Sequence, residues 1–203
     1  MLGWAGALAL GYLIGTIPFG FLAGRWRGVD VRQYGSGSTG ATNVMRTLGT
    51  RLALLVFTAD LTKGVGAALL GWVLTGSPAG ALAAGLLAIA GHNWPFYLGF
   101  RGGRGVLVLL GAFFVVDWRV ALASTLFGFL VIALFRYVSL GSLLGVTLSM
   151  ALSLVVVLTG GSGAPLVLTL AGGGLVVFQH RENIARLLRG TERRLGRAGE
   201  RRQ

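Results

Sequence analysis

Apolar runs close to bilayer-spanning length recur from one end of this chain to the other, and this restricts the fold more than any other feature. Inside a bilayer each backbone N–H and C=O has to be satisfied within the spanning segment, so such runs read as helices. They lie at about 3–24, 52–75, 79–97, 106–116, 120–135, 138–158 and 165–178. A buried soluble core is not an alternative, because only 12% of residues are charged, whereas soluble domains carry roughly a quarter. The expectation is an all-α, polytopic integral membrane protein of about seven transmembrane helices, one domain over 1–203, with a basic tail from 179. Thr16-Ile17-Pro18 interrupts the first run, where a proline frees a carbonyl and kinks the helix. The run at 106–116 has only 11 residues and has to borrow from the glycine-rich segment before it. The absence of cysteine excludes disulfides, thiolate metal sites and cysteine nucleophiles.

The net charge of +12 matters through its placement. Of the 18 Lys and Arg, all but Lys63 and Arg119 fall before Leu52, at 101–104, at 136 or after 180. Seven crossings put all of those on one side and leave Arg119 alone on the other, whereas five would separate the basic segments. The loaded side is then cytoplasmic, with the N-terminus outside and the C-terminus inside. No basic residue precedes the first run, which is the wrong polarity for a cleaved signal peptide. No internal repeat is visible.

Three polar segments share the loaded side. The first, Gly35-Ser36-Gly37-Ser38-Thr39-Gly40-Ala41-Thr42-Asn43, offers hydroxyls, an amide and open backbone without any acid. The second helix, starting near Ala41, puts Asn43 and Arg46 on one face, with Asn43 or Thr42 near the positive N-terminal end that suits an anion. A Gly/Ser tract is equally the composition of a flexible linker. The second segment follows an aromatic girdle (Trp94, Phe96, Tyr97, Phe100) and breaks into Arg101-Gly102-Gly103-Arg104-Gly105. Glycines among arginines let backbone N–H groups close on an anion, although a tight turn at the membrane edge has the same composition. The third, His180-Arg181-Glu182-Asn183, places His180 and Asn183 on one face and pairs Glu182 with Arg186 on another. From Arg189 onward the chain reads as an amphipathic basic tail drawn to anionic head groups.

Lys63 lies about three helical turns inside the second run, with Asp60 three residues before it. Charges at such depth face a partner or a cavity, so the two form either a structural pair or a cavity wall. Neither His92 nor His180 is followed at the fifth position by an acid, which removes the His/Asp base of common soluble acyltransferases. No acidic cluster suits magnesium, so phosphate has to be held by arginine and backbone N–H groups, without metal or cofactor.

The stretches GSGSTGATNVMRTLG (35–49), DLTKG (60–64), GHNWPFYLGFRGGRGV (91–106) and HRENIARLLRGTE (180–192), in this order, resemble the bacterial acyl-phosphate:glycerol-3-phosphate acyltransferase family. The resemblance covers nearly the whole chain. It implies a seven-helix enzyme of the bacterial inner membrane, its site facing the cytoplasm. It also implies acyl transfer from acyl phosphate to the 1-hydroxyl of glycerol 3-phosphate, giving lysophosphatidic acid and inorganic phosphate in the first step of phospholipid synthesis. The implied partners are the two substrates and the lipid bilayer, with no nucleic acid and a monomer admissible. Ser36, Arg46, His180 and Asn183 are implied as binders of glycerol 3-phosphate, and Gly102, Gly103 and Gly105 with Arg104 as the cradle of the acyl phosphate's phosphoryl group. Gly37, Ser38, Asn43, Lys63, Arg101 and Glu182 complete the expected substrate-binding set. Ser38 stands where the family usually has Asn, and Arg101 and Arg104 where it has Lys, so a bidentate fork replaces a point charge. A transporter of a small organic phosphate is the rival from another class. It would place its site near the midplane between repeats, not at one face.

Overall fold

The computed structural model describes residues 1–196 and is all-helical over them. The expected break at Pro18 divides the first run into α1 (Leu2–Thr16) and α2 (Phe19–Trp26). Ile17 between them is extended, as the residue before a proline prefers to be. A short helix α3 (Ala41–Leu48) follows the glycine-rich segment, then α4 (Thr50–Thr75) and α5 (Pro78–Asn93). A helix does begin at Ala41, but it is not the start of the second span. Gly49, at φ 91, ends α3, and α4 starts afresh at Thr50. The chain continues as α6 (Val106–Val116), α7 (Trp118–Phe135), α8 (Val138–Leu158), α9 (Ala164–Gln179) and α10 (Arg181–Leu188). Asp117 accepts from the N–H groups of Arg119 and Val120 and so caps α7 immediately after α6 ends.

Four of these stretches, among the described residues, are long and apolar enough to cross a membrane: 2–26 taken through its break, α4, α7 and α8. α6 and α9 are shorter apolar helices. Helix α5 stops at Asn93 rather than running to Tyr97, because Trp94-Pro95 turns the chain into a single 3-10 turn at Phe96–Leu98.

Helices α1, α4 and α5 pack on one another, α6 lies on α4 and α5, and α9 lies on α5, α6 and α8. Helices α7 and α8 form a hairpin joined to the rest through α6 and α9. In lipid, association depends on close packing more than on burial of apolar surface, so the contact faces are made of small residues. A methyl group at Gly15 would overlap the Ala88 carbonyl, and one at Gly64 would overlap the Val108 carbonyl. The core is correspondingly small, with Ala67, Ala68, Ala81, Ala88 and Ala112 around Ile89, Val108 and Phe113. A second cluster (Val31, Val44, Leu52, Ala53, Val56) fastens α3 and the loop before it to the start of α4.

Gly64→Val should force α4 away from α6 and lower stability by about 1–3 kcal/mol, the usual range for overpacking. Gly66, with open space where its Cβ would be, is the control. Unfolding midpoints of both variants in detergent check this, with Gly66→Ala staying close to the parent.

Candidate active site

The break at Pro18 leaves carbonyls inside the bundle without helical partners. Lys63 Nζ donates to the Ile17 carbonyl at 2.7 Å and Tyr97 Oη donates to that of Thr16. The same ammonium contacts Asp60 Oδ1 at 2.9 Å and His92 Nδ1 at 2.8 Å, and lies 5.5 Å from the Phe19 ring centre. Lys63 and Asp60 are both buried. Both sequence readings for this pair hold in part: the two charges are paired, and Asp60 also lines the cavity described below. Lys63 is enclosed by protein groups and does not reach the cavity described below, which corrects its expected role in substrate binding.

The glycine loop is built on the end of α5. Gly102 N–H donates to the Asn93 carbonyl at 3.1 Å and Gly103 N–H to the His92 carbonyl at 3.0 Å. A Cβ on Gly102 would strike the His92 carbonyl, and one on Gly103 the His92 ring. Here glycine is needed for close approach to α5, and these two N–H groups already have acceptors, which corrects the expectation that they meet an anion. Gly105, at φ 79, then turns the chain into α6. Its left-handed backbone favours glycine, and the start of α6, whose first-turn N–H groups have no helical partners, lines the cavity through Gly105, Val106 and Leu107.

Asn43 organises the first polar segment. Its Oδ1 accepts from Ser36 N–H at 2.9 Å, and its Nδ2 donates to the Val31 and Ser38 carbonyls, each at 2.9 Å. With its amide so engaged and 2% of its surface exposed, Asn43 shapes the loop. Gly37 supplies a left-handed turn (φ 72) and stays off the cavity wall. Ser36, Ser38 and Arg46 reach it.

His180 sits between α9 and α10, buried, with Nδ1 2.8 Å from the Val176 carbonyl. A carbonyl can only accept, so Nδ1 carries the proton and Nε2 of the neutral ring is an acceptor. Burial, reinforced by the charge of Arg104, lowers the imidazole to about 4. The chain after α10 folds back across the start of α8. Glu192 is buried and accepts from Ser139 Oγ (3.1 Å), Asn183 Nδ2 (2.7 Å) and Arg186 Nε (2.8 Å). Arg46 donates to the Arg193 carbonyl at 3.2 Å, and Leu195 N–H donates to the Arg136 carbonyl. Residues 191–196 are thus a strap docked on the bundle, where a surface-seeking tail was expected. The remainder of that tail, 197–203, lies outside the described residues.

These pieces enclose one cavity of about 420 Å³. Its polar head is formed by Ser36, Arg46, Arg104, His180 and Glu192, and its apolar body by residues such as Phe57, Leu110, Phe113, Phe129 and Val146. Leu54 (60% exposed) and Phe129 (50% exposed) belong to both the cavity wall and the outer surface, so the body opens sideways between α4 and α7. The Arg104 side chain has no hydrogen-bond or ion-pair partner among the described residues. Burial lowers its guanidinium to about 10 against the pull of Glu192. Burial likewise lowers Arg46, whose Nε is enclosed without a partner. Two cations, a helix N-terminus and a neutral imidazole acceptor at the head of an apolar slot suit an anionic head group on a long apolar tail.

The chain is similar to known proteins in sequence and in fold. The sequence family described as glycerol-3-phosphate acyltransferase matches residues 5–190. A glycerol-3-phosphate acyltransferase of Parasynechococcus marenigrum is 46% identical over 190 residues, 93% of this chain and 88% of the relative. The chain belongs to the glycerol-3-phosphate acyltransferase family. A crystal structure of the integral membrane glycerol 3-phosphate acyltransferase PlsY (YgiH) in its glycerol 3-phosphate form superposes with a TM-score of 0.85 at 37% identity, covering 95% of this chain and 96% of that one. The lysophosphatidic acid form of the same protein gives a TM-score of 0.82 at 36% identity, with 95% of each chain covered. The chain is therefore a membrane-integral acyltransferase, as the motifs implied.

Within this acyltransferase, the structure gathers Ser36, Ser38, Asn43, Arg46, Arg104, Gly105 and His180 around the cavity. Asn183 touches it only through Glu192, so its place is behind the wall. Glu182 is exposed and pairs with Arg186 at 3.7 Å, and Arg101 is exposed; neither lines the cavity, which corrects both expectations. Glu192 carried no expected role, although it is one of only six acidic residues and ends the stretch HRENIARLLRGTE at 180–192. Glu192→Ala should leave Asn183 Nδ2 without an acceptor and Arg186 with only the exposed Glu182, costing about 1–3 kcal/mol as for other buried polar groups left unsatisfied. Faster trypsin cleavage at Arg193 and Arg194 than in the parent is the readout for release of the strap.

Proposed function

We propose that this chain transfers the acyl group of an acyl phosphate to the 1-hydroxyl of glycerol 3-phosphate, releasing lysophosphatidic acid and inorganic phosphate as the first step of membrane phospholipid synthesis. The observation that carries this is a cavity in which a head holding two arginines, neither ion-paired among the described residues, continues into a laterally open apolar slot. Family membership and the two substrate and product names attached to the solved relative support it. The slot suits the acyl chain of a donor arriving through the bilayer.

In this reading, Arg104 with the first turn of α6 and Gly105 holds the phosphoryl group of the acyl phosphate. Ser36, Arg46 and His180 hold glycerol 3-phosphate, with Ser38 at the rim and Asn183 positioning the strap behind them. The donor is a mixed anhydride, already activated, so no covalent enzyme intermediate is needed. The glycerol oxygen forms a bond to the acyl carbon while the acyl C–O bond to phosphorus breaks. The departing phosphate then takes up the hydroxyl's proton. Proximity and charge stabilisation supply the rate. His180 Nε2 accepts a hydrogen bond from the acceptor alcohol and orients it, and an imidazole held near 4 is a poor base at neutral pH. Seven crossings, with the N-terminus outside and the cavity head toward the cytoplasm of a bacterial inner membrane, fit the one-sided placement of the basic residues.

Purified protein in detergent, given acyl phosphate and glycerol 3-phosphate without metal or acyl carrier, should form lysophosphatidic acid and free phosphate. No product, together with counterflow of phosphate esters in liposomes, would overturn the assignment in favour of a transporter. Arg104→Met should lower turnover by about 10²–10³-fold, while Arg104→Lys keeps most of it, since a point charge still reaches the phosphoryl oxygens. His180→Ala should raise the KM for glycerol 3-phosphate more than it lowers kcat. The acidic limb that His180 contributes in the free enzyme should fall near pH 4, because the ring accepts only while neutral. A limb near 6.5 that disappears in His180→Ala would contradict this.

A further inference from the structure

His92 borders the same cavity and has no role in the chemistry above. Its environment fixes its proton. Lys63 Nζ, 2.8 Å from Nδ1, is an ammonium paired with Asp60, and an ammonium can only donate. Nδ1 is therefore the acceptor and the ring proton is on Nε2. A proton on Nδ1 would have to displace the Lys63 N–H, and Asp60 Oδ1, at 3.6 Å, is too far to receive it directly. Nε2 lies over Gly103, where a side chain would collide with it, and has no hydrogen-bond partner among the described residues. Nε2 is not fully enclosed, and His92 lines the cavity.

We propose that His92 Nε2–H is a further donor to the phosphoryl oxygens bound at the glycine loop, with Lys63 and Asp60 as positioning residues that hold the ring in the donating tautomer. The inference rests on the reading of the cavity as a phosphate site. It explains why Gly103 leaves the imidazole edge uncovered, beside the Arg104 loop. It also sets the two histidines as complements across one cavity: His180 is protonated on Nδ1 and accepts through Nε2, whereas His92 is protonated on Nε2 and donates through it. The phosphoryl oxygen belongs either to glycerol 3-phosphate or to the acyl phosphate and its leaving phosphate, two sources with one chemistry.

The chain has only two histidines, so histidine-selective ¹⁵N labelling of the whole protein in detergent reads both rings without any substitution. The expected spectrum at neutral pH shows two neutral rings of opposite tautomer, the Nε2-protonated one assigned to His92 by its loss in His92→Gln. Two rings of the same tautomer would overturn the proposal. Titration with glycerol 3-phosphate in one sample and inorganic phosphate in another should shift the His92 Nε2 resonance, and the sample that responds names the source. Response of His180 alone would sink the proposal while leaving the phosphate site intact. Absence of any response in protein that turns over would sink it as well. In turnover, His92→Asn should lose about 10²-fold, the scale for one anion-stabilising donor. His92→Gln, whose amide can place an N–H near the Nε2 position, should recover part of that loss. Equal losses in the two variants would mean that His92 only packs.

Discussion

A proline inside a membrane-spanning segment leaves carbonyl groups with no water to turn to, and much of this molecule follows from meeting that need. The Ile17 carbonyl is met by Lys63 and the Thr16 carbonyl by Tyr97. Lys63 in turn requires Asp60 as counter-charge and finds His92 as its third acceptor. Three helices and the aromatic turn after α5 are tied together by these contacts, and the end of α5 is fixed where the glycine loop docks. A buried charge network is costly in lipid unless each member has a partner, and here the ammonium has three. The glycine loop is thus held in place by the repair of a helix break far earlier in the chain.

The second requirement is the opposite one, a place where cations are left without partners. Arg104 and the Nε of Arg46 face the cavity or its wall with no carboxylate in contact, although Glu192 is nearby. Glu192, though it lines the cavity, is engaged by Ser139, Asn183 and Arg186 and leaves both arginines free of it. The same acid fastens the strap that closes the head of the cavity. Partnered charges thus build the frame, and unpartnered ones are kept for the ligand.

Helix positions were legible in the sequence because period and length are strong signals in apolar runs. The runs at 106–116 and 138–158 coincide with α6 and α8. The break at Pro18 and the start at Ala41 were legible as well, since proline and glycine act through local backbone sterics. Residue roles were less so. Asn43 and Arg46 share a helix face and looked alike as ligands, yet the amide of Asn43 turns inward to the loop. Arg101 and Arg104 are three apart in a symmetric-looking motif, and only the fold around Gly105 decides which one enters the cavity. The glycines of the loop advertised an anion cradle, but Gly102 and Gly103 are glycines because α5 lies against them. The strap was illegible because arginine-rich composition describes a solvated tail and a docked segment equally well. What separated the two was one glutamate.

The sideways opening between Leu54 and Phe129 has a consequence for what concentration means at this site. A slot continuous with the hydrocarbon meets its apolar substrate as a fraction of the surrounding lipid, not as an amount per volume of water. Saturation is then a property of membrane composition. Adding detergent or inert lipid at constant substrate thins the donor in the plane and slows the reaction, while the water-soluble acceptor, arriving at the polar head, is unaffected by the same dilution. Two substrates of one reaction would thus be counted in different dimensions.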